Sequence, residues 1–375
     1  MEVDKEFMKW AVAQGIELNG ITTHKLPGKG LGIIAEKKLE AGDTILTAPI
    51  SALRTAQTVP KSISKSISSI TVNGLLAAEL AIDTTEVCAP WRAVLPTKAD
   101  FEESMPLMWH PSLQALLPSA SLSLIQNQMI KISSDWTAVS TAFPTLPYDH
   151  YLYNWLLVST RTFYYNSPKI ETKKSLSHDD CLALIPLADN FNHADDGCEV
   201  TSSPSGYKIC ADRQIAKGEE IYITYGNHSN DFLLAEYGFI LVENRWDAVC
   251  LDGVILPLFS EKQKQELKEA GFFGKFVLDR ETICYRTQVA MRLLCISVNK
   301  WQSLVANGLE DNDEYQMAVD QILLKTLKSY LDSVDEKLKQ VEVLNCGLES
   351  QKGTLISRWK QIRLFLIASI SRLER

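Results

Sequence analysis

CLALIPLADNFNHADDG (residues 181–197) and GEEIYITYGNHSNDFLLAEYGF (residues 218–239) are the stretches that decide how this chain is read. An apolar run of Leu182, Leu184, Ile185 and Leu187 leads directly into Asp189, Asn192 and His193. Ionisable and hydrogen-bonding side chains placed straight after a buried run belong at the floor of a cleft, where their polar atoms still find partners. In the second stretch Ile221, Ile223 and Tyr225 alternate with Tyr222 and Thr224, which is the two-residue period of a strand. Gly226 closes that strand. After Asn230 an apolar turn of Phe232, Leu233 and Leu234 precedes Tyr237, Gly238 and Phe239. Tyrosines, an Asn-His pair and glycines thus converge in one short span, the half of the chain that carries chemistry.

Outward from this span, residues 4–15 have helical spacing that stops at Gly15. From Ile21 to Thr47 short alternating runs are punctuated by Pro27, Gly28, Gly30, Gly32 and Gly42, which predicts two or three strands and a hairpin-like turn at Glu40–Asp43. Residues 52–147 turn helical, cut into short pieces by Pro90, Pro96, Pro106, Pro111 and Pro118; SISKSISSI (62–70) is ambiguous. A helix from Tyr148 to Phe163 carries Arg161 near its end, and the polar stretch 166–180 is expected to be a surface loop. Beyond Val249 the period stays helical. Ser260 with Gln263 predicts a capping box, Arg286–Trp301 a further helix, and Leu324, Leu327, Leu331, Val334, Leu338 and Val341 a seam like that of a coiled coil. Such a seam in one chain is expected to pack internally, leaving a monomer.

Composition excludes several function classes. At 375 residues the chain exceeds the size at which single cores stop growing, so two lobes are expected. A net charge of −8, with no Lys/Arg run longer than a pair, argues against direct nucleic-acid binding. The eight cysteines include no CxxC and the six histidines no HExxH, so no zinc or other metal site is expected. The acidic start MEVDKEFMKW is unlike a signal peptide, and LFLIASI is too short to span a bilayer. No membrane association is expected, and reduced cysteines suit the cytoplasm or nucleus.

Gly28-Lys29-Gly30-Leu31-Gly32 matches neither a dinucleotide fingerprint nor a P-loop, since β-type residues follow it where a helix would be needed. Taken alone, it is either a tight turn or a loop whose backbone approaches a ligand.

With these residues in view, the chain resembles the SET-domain protein methyltransferases, in the subgroup typified by the Rubisco large-subunit lysine methyltransferase. The pieces stand in family order: G-K-G-L-G at 28–32, R-T-F at 161–163, P-L-A-D-N-F-N-H at 186–193 and G-E-E-I-Y-I-T-Y-G-N-H-S-N at 218–230, leading to E-Y-G-F at 236–239. The resemblance spans roughly residues 5–245, and beyond them only the helical character agrees with the family's C-terminal substrate-binding lobe. It implies an α+β fold of small β-sheets wrapped in a pseudoknot, with a helical insertion near 52–178. The implied domains are a SET catalytic domain at 1–250 and a helical substrate-binding domain at 251–375. The family's donor is S-adenosylmethionine.

Carried over by motif, the resemblance implies that Lys29, Gly30 and Leu31 offer backbone atoms to the donor and that Arg161, with Thr160, sits by its carboxylate. Asn192 and His193 would hydrogen-bond its adenine and amine, with Asp189 orienting their loop. Tyr225 takes the catalytic position, and with Tyr237 and Phe239 it would line the lysine channel; Tyr225 and Tyr237 also count among the donor contacts. Methyl transfer to an amine is an in-line displacement that needs alignment more than acid chemistry. Entry into an apolar channel disfavours the ammonium form of a lysine, whose ordinary pKa is about 10.4. The Cys-rich zinc segment of many histone-directed relatives is absent, since only Cys250 falls nearby. That favours a non-histone protein substrate, such as a ribosomal protein or translation factor. Methylation of a histidine or small molecule, and a catalytically silent binding protein, remain as alternatives.

Overall fold

The computed structural model describes residues 2–83, 85–165, 181–307 and 315–375; the expected loop at 166–180 lies outside them. The glycine-punctuated run forms strands at Glu17–Leu18 (β1), Ile21–Leu26 (β2), Gly30–Ala35 (β3) and Thr44–Pro49 (β4). Later strands follow at Arg54–Thr55 (β5), Thr162–Tyr164 (β6), Leu182–Leu184 (β7), Asn192–Ser203 (β8), Gly206–Cys210 (β9) and Glu220–Ile223 (β10). They build a seven-stranded sheet in the order β1-β4-β9-β8-β10-β3-β2 and a small sheet β5-β7-β6. Ile33, Leu46, Ile209, Ile221 and Ile223, all buried, come from the inward positions of these strands. With helices at Glu2–Ala13, Val72–Ile82 and Tyr148–Arg161, the architecture is the expected α+β class.

Local chemistry explains the turns. Between β2 and β3 the Lys29 N–H donates to Leu26 O at 3.2 Å, with Gly28 at φ +72°. Proline's fixed φ suits the first central position of such a turn, and a residue without a Cβ suits the second. Glu40–Asp43 is also a turn, closed by Asp43 N–H to Glu40 O at 3.1 Å. It is not the expected hairpin, because β3 pairs with β2 and β10 while β4 pairs with β1 and β9. The helix from Tyr148 stops at Arg161 and not at Phe163, since Thr162 is extended and joins β6 to β7. Of SISKSISSI only its first three residues are helical, in the short helix Lys61–Ser64. A 24-residue helix, Ser119–Ala142, is also present; its many Ser and Thr residues hid its period.

The chain's packing groups residues up to Glu102 with Gln126–Asn227 as one unit and Glu103–Ile125 with His228–Arg375 as the second. By packing, Glu103–Ile125 lies with the helical unit. Buried charge is the reason. Arg358 donates from Nε and Nη2 to the two carboxylate oxygens of Asp231, each at 2.9 Å, and from Nη1 to Asp247 at 2.7 Å. Ser121 adds a hydroxyl donor to Asp231 at 3.0 Å. Burial works against the Arg358 charge, but the flanking carboxylates outweigh it and hold its pKa above the ordinary value.

In the same unit the predicted seam lies on the Gln316–Glu342 helix. Leu327, Val334 and Val341 are buried in one apolar cluster with Leu355, Ile362 and Leu366 of the Glu349–Leu373 helix. The Ser260–Gln263 capping box is present at the start of Glu261–Glu269. Arg286–Trp301 is not one helix: Tyr285–Arg292 and Val298–Asn307 are separate. The Trp301 indole N–H donates to Val289 O at 2.8 Å, whereas in a continuous helix that span would measure about 18 Å. Val249–Cys250 (β11) and Val277–Leu278 (β12) pair as a short ribbon that the helical period concealed.

Replacing Arg358 by Met leaves Asp231 and Asp247 buried without a countercharge. The expected loss is about 3–5 kcal/mol, read as a lower urea midpoint at unchanged slope. A loss below about 1 kcal/mol would show that the trio does not anchor this unit.

Candidate active site

β8 and β10 run parallel, and their register builds the site. Tyr222 of β10 stands opposite Asn192 of β8, yet the next residue, Ile223, stands opposite Cys198. His193–Gly197 therefore bulge out of the ladder. A Cβ on Gly197 would lie 2.7 Å from the Tyr222 carbonyl oxygen, so a residue without a side chain is needed for the pair to close again. The bulge carries His193 to the end of β10, where its Nδ1 accepts the Tyr225 N–H at 3.0 Å and the two rings stack 5.0 Å apart. An accepting Nδ1 fixes the neutral imidazole with its proton on Nε2. At its other end, Tyr225 donates its hydroxyl to Phe191 O at 2.7 Å. Tyr225 lies beyond the strand, which ends at Ile223, so it is held by these bonds and not by the ladder.

The same register gathers Asn192, Glu220, Tyr222 and Lys29. The Asn192 amide donates to Glu220 Oε1 at 2.8 Å. Lys29 Nζ lies 2.8 Å from both Glu220 Oε2 and the Tyr222 hydroxyl, which itself donates to Glu220 Oε2 at 2.5 Å. Burial pushes the Glu220 carboxyl up, but Lys29, Tyr222 and Asn192 together hold it below its ordinary value. Burial likewise opposes the Lys29 charge, and Glu220 with Tyr222 raises its pKa on balance. Glu220 and Tyr222 were not among the residues expected from the sequence. Their two-residue spacing on one face of β10 was the available signal.

A second group forms at the end of the Tyr148–Arg161 helix. Arg161 Nη1 donates to Asp189 O at 2.6 Å and lies 3.7 Å from the Asp189 carboxylate, which is fully buried. That carboxylate accepts the Trp91 indole N–H at 3.0 Å and the Asn190 amide at 2.9 Å. Burial pushes the Asp189 pKa up, opposed by Arg161 and Trp91. Arg161 Nε and Asn190 Oδ1 are buried with no hydrogen-bond partner among the described residues. Two residues upstream of Asp189, Leu187 has φ +74°, a backbone state that costs a non-glycine residue on the order of 1–3 kcal/mol and gathers at functional sites. Thr160 spends its hydroxyl proton on Leu156 O, 2.8 Å away in its own helix.

The remaining candidates fall where the topology puts them. Lys29, Gly30 and Leu31 occupy the β2–β3 turn and the start of β3, and a Cβ at Gly28 or Gly30 would meet no atom within 4 Å. Tyr237 and Phe239 belong to the second unit. The expected apolar turn before them is a helix, Asn230–Tyr237, capped by Ser229, which accepts the Phe232 N–H, and ended by Gly238 in the left-handed region. The Tyr237 ring lies 6.3 Å from Phe239 and 6.4 Å from Phe232, and burial, with the Glu236 charge, pushes its hydroxyl up to about 12. Among the described residues no group of three or more His, Cys, Asp or Glu could hold a metal ion, and no helix is long and apolar enough to cross a membrane.

The chain is similar to known proteins along its length. The SET domain family matches residues 30–226, more than half of the chain, and the ribosomal lysine N-methyltransferase 2 C-terminal domain matches residues 247–367. SET domain-containing protein 4 of Mus musculus is 25% identical over 393 residues, covering 96% of this chain and 89% of its own length. Ribosomal lysine N-methyltransferase set11 of Schizosaccharomyces pombe is 24% identical over 335 residues, covering 86% and 85%. Among solved structures, the SET domain of LSMT bound to lysine and AdoHcy superposes with a TM-score of 0.69 at 17% identity, covering 100% of this chain and 91% of that one. Rubisco LSMT bound to AdoMet gives the same TM-score and identity over 99% and 91%. At that identity the likeness is one of fold.

The Glu220 network has a pH signature. Its folded-state pKa is depressed, so the unfolded chain binds the proton more readily, and the stability it contributes is complete above the ordinary carboxyl value of 4.5. That stability is lost as pH falls through the lower folded value. Glu220→Gln is expected to flatten the acid limb of a stability–pH curve measured by urea denaturation. An unchanged limb would show that other carboxylates set it.

Proposed function

The chain belongs to the SET-domain family, and from that premise we propose that it is an S-adenosylmethionine-dependent protein-lysine N-methyltransferase acting on a ribosomal or other non-histone protein. The residues present fit such a donor. Arg161 keeps a buried Nε–H without a partner among the described residues, the edge of a guanidinium fork suited to a carboxylate. The open β2–β3 turn leaves the backbone of Lys29, Gly30 and Leu31 accessible to a ligand. When bound, S-adenosylmethionine supplies an electrophilic methyl group on a positively charged sulfur.

Each residue then has a stated task. Arg161, steadied by Asp189, takes the donor's carboxylate, while Thr160 holds the helix end that carries it. Asn192 takes the ammonium, and the backbone around His193 takes the adenine. Tyr225 is the catalytic residue. Its hydroxyl proton is committed to Phe191 O, so the phenolic oxygen is left as an acceptor. It orients the acceptor amine and the methyl group for in-line displacement and does not remove a proton. The observation that carries this function is a tyrosine held at both ends, by His193 at its backbone and by Phe191 at its hydroxyl. The matched C-terminal domain, described for a ribosomal lysine methyltransferase, supports the substrate class.

Tyr225→Phe is expected to lower transfer of labelled methyl from S-adenosylmethionine to a ribosomal-protein fraction by on the order of 10²–10³-fold. The donor Kd, measured by calorimetry, should stay within about threefold, since the variant keeps both backbone and ring. A lysine carrying the label confirms the acceptor; label on a histidine or small molecule would overturn it. Absence of donor binding by the unaltered protein would sink the function as a whole.

A further inference from the structure

Glu220 stands on β10 between two strands that come from opposite ends of the site. On one side β10 pairs with β3, Glu220 against Ile34; on the other it pairs with β8, Tyr222 against Asn192. Glu220 and Tyr222 share a face of β10, so the carboxylate reaches both neighbours. Oε1 accepts the Asn192 amide, and Oε2 accepts the Lys29 ammonium and the Tyr222 hydroxyl. An ionised carboxylate can only accept. The atom of Asn192 that faces it must therefore be the NH₂, and the amide oxygen is turned the other way. Nothing among the described residues donates to that oxygen.

Gly32 makes the pairing possible. A Cβ there would fall 2.4 Å from Leu26 Cδ1, 2.8 Å from Asn192 Nδ2 and 3.4 Å from Glu220 Oε1, so a side chain would crowd both groups as well as Leu26. The Lys29 ion pair holds the other carboxylate oxygen. The carboxylate is thereby held at both oxygens, and the first of them sets the direction of the amide.

We infer that Glu220 is the positioning residue of the donor site: by holding the Asn192 amide with its oxygen outward, it presents an acceptor to the donor's ammonium group. This rests on the assignment of Asn192 to the donor, and the test separates the two. S-Adenosylmethionine and 5′-methylthioadenosine, which lacks the amino-acid arm, are titrated by calorimetry into the unaltered chain, Asn192→Ala, Glu220→Ala and the double variant. Glu220→Ala should weaken S-adenosylmethionine about tenfold or more while 5′-methylthioadenosine stays within about twofold. The double variant should bind S-adenosylmethionine no more weakly than Asn192→Ala does, because the two residues act through one contact.

Additive losses, or equal losses for both ligands, would overturn the role of Glu220. If Asn192→Ala leaves S-adenosylmethionine binding unchanged, the assignment of Asn192 itself fails, and the inference with it. Should Glu220→Ala not fold, Glu220→Gln serves in its place. The Lys29 ammonium, which can only donate, draws the amide oxygen to its side and leaves the NH₂ facing Asn192, which reverses that side chain, so the same selective loss is expected; undiminished binding by a folded Glu220→Gln would overturn the role.

Discussion

One parallel register, Tyr222 opposite Asn192 and Ile223 opposite Cys198, is the constraint on which the site depends. Parallel strands cannot be joined by a tight hairpin, so β8 first turns back as β9, and the chain then returns as β10. The mismatch between the two pairings ejects His193–Gly197, and Gly197 alone lets the backbones meet again. Everything else follows from that ejection. His193 reaches the Tyr225 N–H, Phe191 O is left to receive the Tyr225 hydroxyl, and Asn192 is delivered to Glu220.

The second unit answers to a different constraint. Two carboxylates, from Asp231 and Asp247, are buried around one guanidinium, and each end of the arrangement is saturated with hydrogen bonds. Removing ions from water is costly, and a trio of this kind is retained only where its geometry is good. The consequence for function is a division of labour inside one motif. In GNHSND the residues to Asn227 fall in the first unit, whereas Asn230 and Asp231 anchor the helical one. A motif contiguous in sequence thus serves the strand end of the candidate site and a structural buried charge at once.

Much of the candidate site was legible because its residue types are costly unless used. A buried run ending in Asp189, Asn192 and His193 pointed to polar groups with partners, and all three have them. The alternation of Ile221 and Ile223 against Tyr222 was likewise visible, as were the capping box at Ser260 and the helical seam. Glu220 was passed over because a charged residue at the start of a strand is most often solvated, and only its neighbours reveal otherwise. Arg161 illustrates the limit from the other side: its place near a helix end was evident, but the pairing with the Asp189 carbonyl and the unpartnered Nε were not.

Sequence by itself determined the α+β class and the order of the motifs, because hydrophobic period and turn chemistry are local properties of the chain, and it was the resemblance those motifs carry that pointed to Tyr225. Tertiary structure alone decided where the units divide, that Glu40–Asp43 joins strands that do not pair, and that Arg286–Trp301 breaks so that Trp301 can reach Val289. It alone also showed which way the Asn192 amide faces. The physical reason is common to all four. Each depends on a partner distant in sequence, whether a strand, an indole acceptor or a carboxylate, and local period carries no record of which distant partner will be met.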